Sequence, residues 1–217
     1  MNNLASYIEH TLLRQDATKQ DLIKLFEEAE KYRFYGVCIH PAYVKAAKKY
    51  LEQSGVKIVT VIGFPLGANL PEVKAFEAQK AIEDGADEID MVINVTNIKN
   101  KAWDDVLDDI ETVKKACGDK PLKVILETDL LTLSEIEKVS ILCIEGRADF
   151  VKTSTGFVKG GVGAKEQDVA LIAKTVKPYG LRVKASGGIR DKEQAVKMIK
   201  AGADRIGTSA GVKILQE

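Results

Sequence analysis

The sequence predicts an α/β protein of the single-domain (β/α)8 TIM-barrel class, and three observations carry that prediction. A phrase recurs through the chain: EDGADEIDMVIN at 83–94, IEGRADFVKTST at 144–155 and IKAGADRIGTSA at 199–210. Each copy has a glycine, an alanine and aspartate close behind it, then a short run rich in branched or aromatic residues. Glycine suits the position just past a helix C-terminus and the apolar run suits a buried strand. The copies stand about two βα units apart, a scale that points to alternating strands and helices. Second, eight strand candidates can be placed, several of them near-continuous apolar runs of the kind buried on both faces. Third, no Pro-, Gly- or Ser-rich linker divides residues 1–217, so one domain is expected. An open doubly wound sheet would carry a glycine-rich dinucleotide loop after an early strand, and GFPLGANL at 63–70 does not fit that fingerprint.

From the N-terminus, a strand is expected at 8–12, followed by a helix over TKQDLIKLFEEAEKY. Thr18 suits its N-cap, and Leu22, Leu25, Phe26 and Ala29 share one face. The second strand, 36–40, runs to Pro41, a residue that suits a helix start. VKIVTVI supplies the third strand at 57–62, and Pro71 opens the next helix. Strands at 88–93 and 122–127 follow, the latter reading LKVILE. Ser134 and Glu137 have the spacing of a capping box. The last strands are expected at 150–153, 182–186 and 205–207, with a helix from near Asp191 and a short final one after GTSAG.

Composition narrows the function. Thirty-two basic residues balance thirty-two acidic ones, so there is no bulk attraction to nucleic acid or to an anionic membrane. Cys38, Cys117 and Cys143 are too few and too scattered for a disulfide framework, and two histidines without close Cys or His neighbours argue against zinc. No apolar run approaches the ~20 residues that cross a bilayer. The opening MNNLASYIEHTLL has neither a basic start nor an apolar stretch of signal-peptide type, so a cytoplasmic location is expected.

The chemistry concentrates where strands end, because barrels place their active sites at the C-terminal ends of the strands. That rule gathers Cys38, Asp90, Asn94, Glu127, Lys152 and Lys184. Lys152 in DFVKTSTGF and Lys184 in LRVKASGGIR end adjacent strands about 5 Å apart, each followed by small residues. One such lysine is ordinarily a snorkelling rim residue; two side by side suggest a nucleophile and a perturbing cation. Partial burial and a neighbouring cation both favour the neutral amine, which can form a Schiff base. Which lysine plays which part is open at this level. Asp90, inside DEIDMVIN, is either an ion-pair partner or a proton shuttle, and Asp87 and Glu88 before it read as solvated. Gly187 and Gly188 after the seventh strand and Gly207, Thr208 and Ser209 after the eighth suit a small anion, with Thr155 and Gly156 contributing from the sixth loop.

Together HTLL, GVCIHP, VIGFPLGAN, EVKAFEA, GADEIDMVIN, LKVILET, DFVKTSTGF, VKASGGIR and RIGTSAG resemble the 2-deoxyribose-5-phosphate aldolases, a class I aldolase family, over nearly the whole chain. The resemblance implies a (β/α)8 barrel in which Lys152 forms the Schiff base and Asp90 with Lys184 relays protons. It puts Gly156, Gly187, Gly188 and Ser209 in phosphate-binding loops and Cys38 beside the substrate pocket. The implied reaction is reversible cleavage of 2-deoxy-D-ribose 5-phosphate into acetaldehyde and D-glyceraldehyde 3-phosphate, with no metal or organic cofactor, by a homodimer or homotetramer. Three positions depart from the family pattern: Glu9 replaces an aspartate, Thr96 a common glycine, and GVKILQE lacks a C-terminal tyrosine found in some members. A class I aldolase for another phosphorylated sugar or keto acid, a non-catalytic barrel that binds phosphorylated metabolites, and an isomerase working without a Schiff base are the competing readings.

Overall fold

The computed structural model describes residues 4–217. Its frame is a closed barrel of eight parallel strands in sequential order: β1 (Ile8–Thr11), β2 (Gly36–Ile39), β3 (Lys57–Ile62), β4 (Glu88–Val92), β5 (Leu122–Ile125), β6 (Phe150–Lys152), β7 (Arg182–Ser186) and β8 (Arg205–Thr208). β8 pairs with β1 and closes the ring. Each expected strand is present, most of them ending one to two residues earlier than read. The helices are α1 (Lys19–Tyr32), α2 (Val44–Leu51), α3 (Pro71–Glu83), α4 (Val95–Lys99), α5 (Trp103–Cys117), α6 (Leu133–Glu145), α7 (Glu166–Val176), α8 (Lys192–Ala201) and α9 (Gly211–Gln216). No helix among the described residues is long and apolar enough to cross a membrane.

Local signals explain most boundaries. Thr18 caps α1 through a reciprocal box with Asp21, and Leu22, Leu25, Phe26 and Ala29 form its buried face. Pro71 stands in the first turn of α3, whereas Pro41 opens a short 3-10 turn that leads into α2. The capping box of α6 is Thr132 with Glu135, not Ser134 with Glu137. Both pairs have the same spacing, but Thr132 lies at the extended entry to the helix, where its hydroxyl can reach a free N–H.

Side chains alternate across every strand, and the two faces of the barrel differ in kind. Ile8, Ile89, Met91, Leu122, Val124, Val151, Val183 and Ile206 face outward and join one large apolar core with the helices. The interior holds only a small apolar cluster of Leu13, Cys38, Val59 and Val61. Phe150 lies against Lys123, Arg182 and Arg205, and several of the remaining interior positions are charged, which sets up the site described below.

Outside the barrel, one further buried charge pair ties helices to the sheet. Lys74 of α3 is fully buried; its Nζ donates to Asp109 of α5 at 2.7 Å and to the Val92 carbonyl at 2.9 Å. Burial pushes the Lys74 amine down and the Asp109 carboxyl up, each against the pull of its partner. Glu77, one turn on, accepts from the Gly63 N–H at 2.8 Å. The EVKAFEA segment therefore pins both the loop after β3 and the end of β4. Lys74→Met strands a buried carboxyl, so urea denaturation should show a loss of about 3 kcal/mol. Lys74→Met with Asp109→Leu should recover most of it; an undiminished loss in the double variant would contradict this account.

Candidate active site

The register of the strands assembles the site. Lys152 of β6 stands directly opposite Lys184 of β7, and Asp90 of β4 opposite Lys123 of β5. All four point into the barrel, since their chain neighbours pack outward. Asp90 Oδ2 accepts from Lys152 Nζ at 2.8 Å and from Lys184 Nζ at 2.6 Å. Its other oxygen, Oδ1, accepts from Lys123 Nζ at 2.9 Å. Three lysines thus converge on one carboxylate. Lys184 also donates to Glu9 of β1, and Lys123 lies 2.6 Å from Glu88 at the start of β4.

Burial and field decide the charge states. Burial alone would lower the Lys184 amine, but Asp90 and Glu9 outweigh it and hold Lys184 above its ordinary value. Lys123 is likewise pulled down by burial and held well above its usual range by Asp90, Glu9 and Glu88. Asp90 is penalised by burial yet held well below the carboxylate range by Lys123, Lys152 and Lys184. Glu88 is depressed too: Lys123 and the Tyr35 hydroxyl outweigh its burial. Glu88 is therefore not solvated. It is the inward residue at the base of β4, and an inward carboxylate there meets the amine of β5.

Access separates the lysines. Lys123 and Lys184 have no exposed surface, whereas Lys152 is 3% exposed. Lys152 alone of the three lines the large cavity, of about 660 Å³, at the C-terminal ends of the strands. Ser154, Gly156, Ser186, Gly188, Thr208 and Ser209 line the same cavity, with Thr155 and Gly187. Six of these eight lie in the loops after β6, β7 and β8; Ser186 and Thr208 end β7 and β8 themselves.

Those loops lock together over short distances. Gly187 and Gly188 have φ of 86° and 75°. A Cβ on Gly188 would stand 2.3 Å from the Val162 carbonyl oxygen, so glycine serves both the conformation and the close crossing. The Ser186 hydroxyl donates to the Ser154 carbonyl at 2.6 Å, and Thr208 donates to the Ile189 carbonyl at 2.6 Å. Glu127, just past β5, accepts from the Thr155 N–H at 3.1 Å and from its hydroxyl. Burial pushes the Glu127 carboxyl up.

The expected residues fall into three groups. Asp90, Lys152 and Lys184 form the polar centre; Thr155, Gly156, Gly187, Gly188 and Ser209 surround the cavity. Cys38 is buried below it in the inner apolar cluster, where burial raises its thiol, and it is not part of the cavity lining. Asn94 caps α4 by accepting from the Thr96 N–H at 3.1 Å. Glu9, Cys38 and Asp90 present ligand atoms within 4.8 Å of one another, but both carboxylates are already engaged by lysine. Sequence reasoning missed Lys123, whose signal was a charge in an otherwise apolar strand. It also missed Arg14 and Arg190, arginines in loops after β1 and β7 that reach the cavity.

The DeoC/LacD family aldolase profile matches residues 4–217. A deoxyribose-phosphate aldolase from Mannheimia succiniciproducens is 56% identical over 213 residues, which is 98% of this chain and 94% of the relative. One from Thermococcus gammatolerans is 54% identical over 218 residues, 99% of this chain and 96% of the relative. The tetrameric deoxyribose phosphate aldolase from Aeropyrum pernix superposes with a TM-score of 0.88 at 39% identity, over 99% of this chain and 90% of that one.

The charge state of Asp90 makes a prediction. A carboxyl depressed on folding contributes stability above its unfolded value, about pH 4, and loses it as pH falls toward the folded value. The urea midpoint of the wild-type protein should therefore fall more steeply between about pH 5 and pH 2 than that of Asp90→Asn. Equal slopes would contradict the assigned charge.

Proposed function

The chain belongs to the DeoC/LacD aldolase family, and we propose that it cleaves 2-deoxy-D-ribose 5-phosphate reversibly through a Schiff base on Lys152. It is an aldolase, a carbon–carbon lyase. The observation that carries the assignment of Lys152 is its position: it is the one barrel lysine on the cavity wall, backed by a carboxylate that two further lysines share.

The reaction uses the site as follows. The neutral Lys152 amine adds to the C1 aldehyde of the open-chain sugar, and loss of water leaves a protonated imine. The imine withdraws electrons as the C2–C3 bond breaks and the C3 hydroxyl gives up its proton. D-glyceraldehyde 3-phosphate departs, and the enamine left on Lys152 takes a proton at C2. Hydrolysis then releases acetaldehyde and restores the amine. Asp90 and Lys184 move the protons: Asp90 Oδ2 touches both nitrogens, so one oxygen joins the reacting amine to the Lys184 ammonium, which gives up a proton and regains it within the cycle. Lys184 also stabilises electron density that builds near Lys152.

The phosphate falls to the loops after β6, β7 and β8. Gly156, Gly187 and Gly188 bring backbone close without side chains, and Ser209 offers a hydroxyl. Thr155, held by Glu127, closes one side. Arg190 lines the cavity and adds positive charge. Cys38 supports the floor beneath Lys152 as a small buried hydrophobe.

An aldolase assay that follows glyceraldehyde 3-phosphate release tests this reading. Lys152→Ala should lower kcat by at least about 10³-fold. Gly188→Ala should mainly raise KM for the phosphorylated sugar and leave cleavage of unphosphorylated deoxyribose nearly unchanged. Full activity in Lys152→Ala would sink the mechanism. Equal effects of Gly188→Ala on both sugars would remove the phosphate from these loops.

A further inference from the structure

Beneath Asp90 lies a tier of charges that no reacting atom touches. Lys123, with no exposed surface, holds Asp90 Oδ1 at 2.9 Å and stands 2.6 Å from Glu88 and 3.6 Å from Glu9. Arg205 of β8 reaches within 3.8 Å of Glu9 and lies over the Tyr35 ring, whose hydroxyl donates to Glu88. The cluster therefore contains three carboxylates, Glu9, Glu88 and Asp90, and three cations other than Lys152: Lys123, Lys184 and Arg205.

That count has a chemical meaning. Without Lys152 the buried assembly is already neutral. A proton on Lys152 makes it a surplus cation in a region with little water to screen it. A neutral Lys152 leaves every other charge with a partner.

We propose that Lys123 is a positioning residue of the reaction, which anchors Asp90 by Oδ1 and supplies the buried positive charge that leaves Lys152 free to be the neutral amine. The proposal rests on the reading of Lys152 as the Schiff-base lysine. It assigns to a residue outside the cavity the task that a neighbouring cation alone would otherwise have to perform. Lys184 cannot do so unaided, because Asp90 and Glu9 surround it with two negative charges against its one. Lys123 and Arg205 restore the balance from below. Anchoring also matters: with Oδ1 occupied by Lys123, Asp90 keeps Oδ2 turned toward both upper amines.

The groups that face Lys152 from the packed strands are Asp90 from β4, Lys184 from β7, Cys38 from β2 and Glu127 from the turn after β5, with Glu9 of β1 behind Lys184. Burial holds the Cys38 thiol up, so it is not a thiolate that could substitute for a carboxylate. Glu127 is common to all the variants below, so its own titration does not separate them.

The test is the acid limb of kcat/KM for deoxyribose 5-phosphate, with the pH dependence of acetaldehyde trapping by cyanoborohydride as a second readout. One unit charge about 6 Å away at an effective dielectric of about 20 moves a titration by about two pH units. Lys123→Met leaves the cluster one negative charge in excess and should move the limb upward by about one to two units. Glu88→Gln leaves one positive charge in excess and should move it downward. The double variant Lys123→Met/Glu88→Gln is neutral again and should return the limb toward its wild-type place. Should Lys123→Met fail to fold, the downward shift in Glu88→Gln and the restored double variant still carry the test. Activity lost evenly at every pH, with the limb unmoved in all three, would overturn the proposal and leave Lys123 a packing residue. Absence of trapping in the wild-type protein would instead overturn the assignment of Lys152.

Discussion

The three-lysine grip on Asp90 is the interaction on which the rest of this structure depends. A carboxylate with no exposed surface accepts from Lys123 through one oxygen and from Lys152 and Lys184 through the other. An isolated buried ion would cost several kcal/mol, so none of these groups is tolerable without the others. Glu9, Glu88 and Arg205 complete the set from neighbouring strands. Where a barrel of this class commonly packs branched aliphatic layers, this one uses a charge-balanced assembly for much of its interior. The helices supply the apolar core that makes such an interior affordable.

Within that assembly, function follows from an asymmetry between chemically equal side chains. Lys152 and Lys184 share a register position and a carboxylate oxygen, yet only one reaches the cavity. The sealed lysine takes a second carboxylate and stays charged; the accessible one shares a single carboxylate oxygen. Strand ends position the nucleophile, while the crossed glycine loops beside it form the cavity wall. In the proposed reaction, rigid strands and close loop crossings together hold the reacting carbon near the amine and the phosphate away from it.

The fold was legible because strand and helix signals agreed with one another. Repeated glycine, alanine and aspartate phrases marked helix ends and strand starts, and the eight strands fall where the apolar runs lie. The polar centre was legible in part. Lys152, Lys184 and Asp90 stood out as charges inside apolar runs beside small residues. Lys123 did not, because LKVILE reads as a continuous buried run unless its two faces are separated. Outward Leu122 and Val124 then leave Lys123 facing the barrel axis. Glu88 was misread for a related reason: charges clustered at a strand start resemble a solvated turn, and only the closed ring brings Lys123 and Tyr35 to meet one of them. Cys38 shows the converse limit. Its strand-end position was right, but depth below the cavity depends on barrel geometry rather than on sequence spacing.

The central claim is that geometry, not intrinsic chemistry, chooses one reactive amine from three. Borohydride reduction in the presence of acetaldehyde, followed by peptide mass mapping, tests it directly. The account predicts one two-carbon adduct on Lys152, suppressed by deoxyribose 5-phosphate, with Lys123 and Lys184 unmodified. An adduct on Lys184, or no adduct on any barrel lysine, would contradict it.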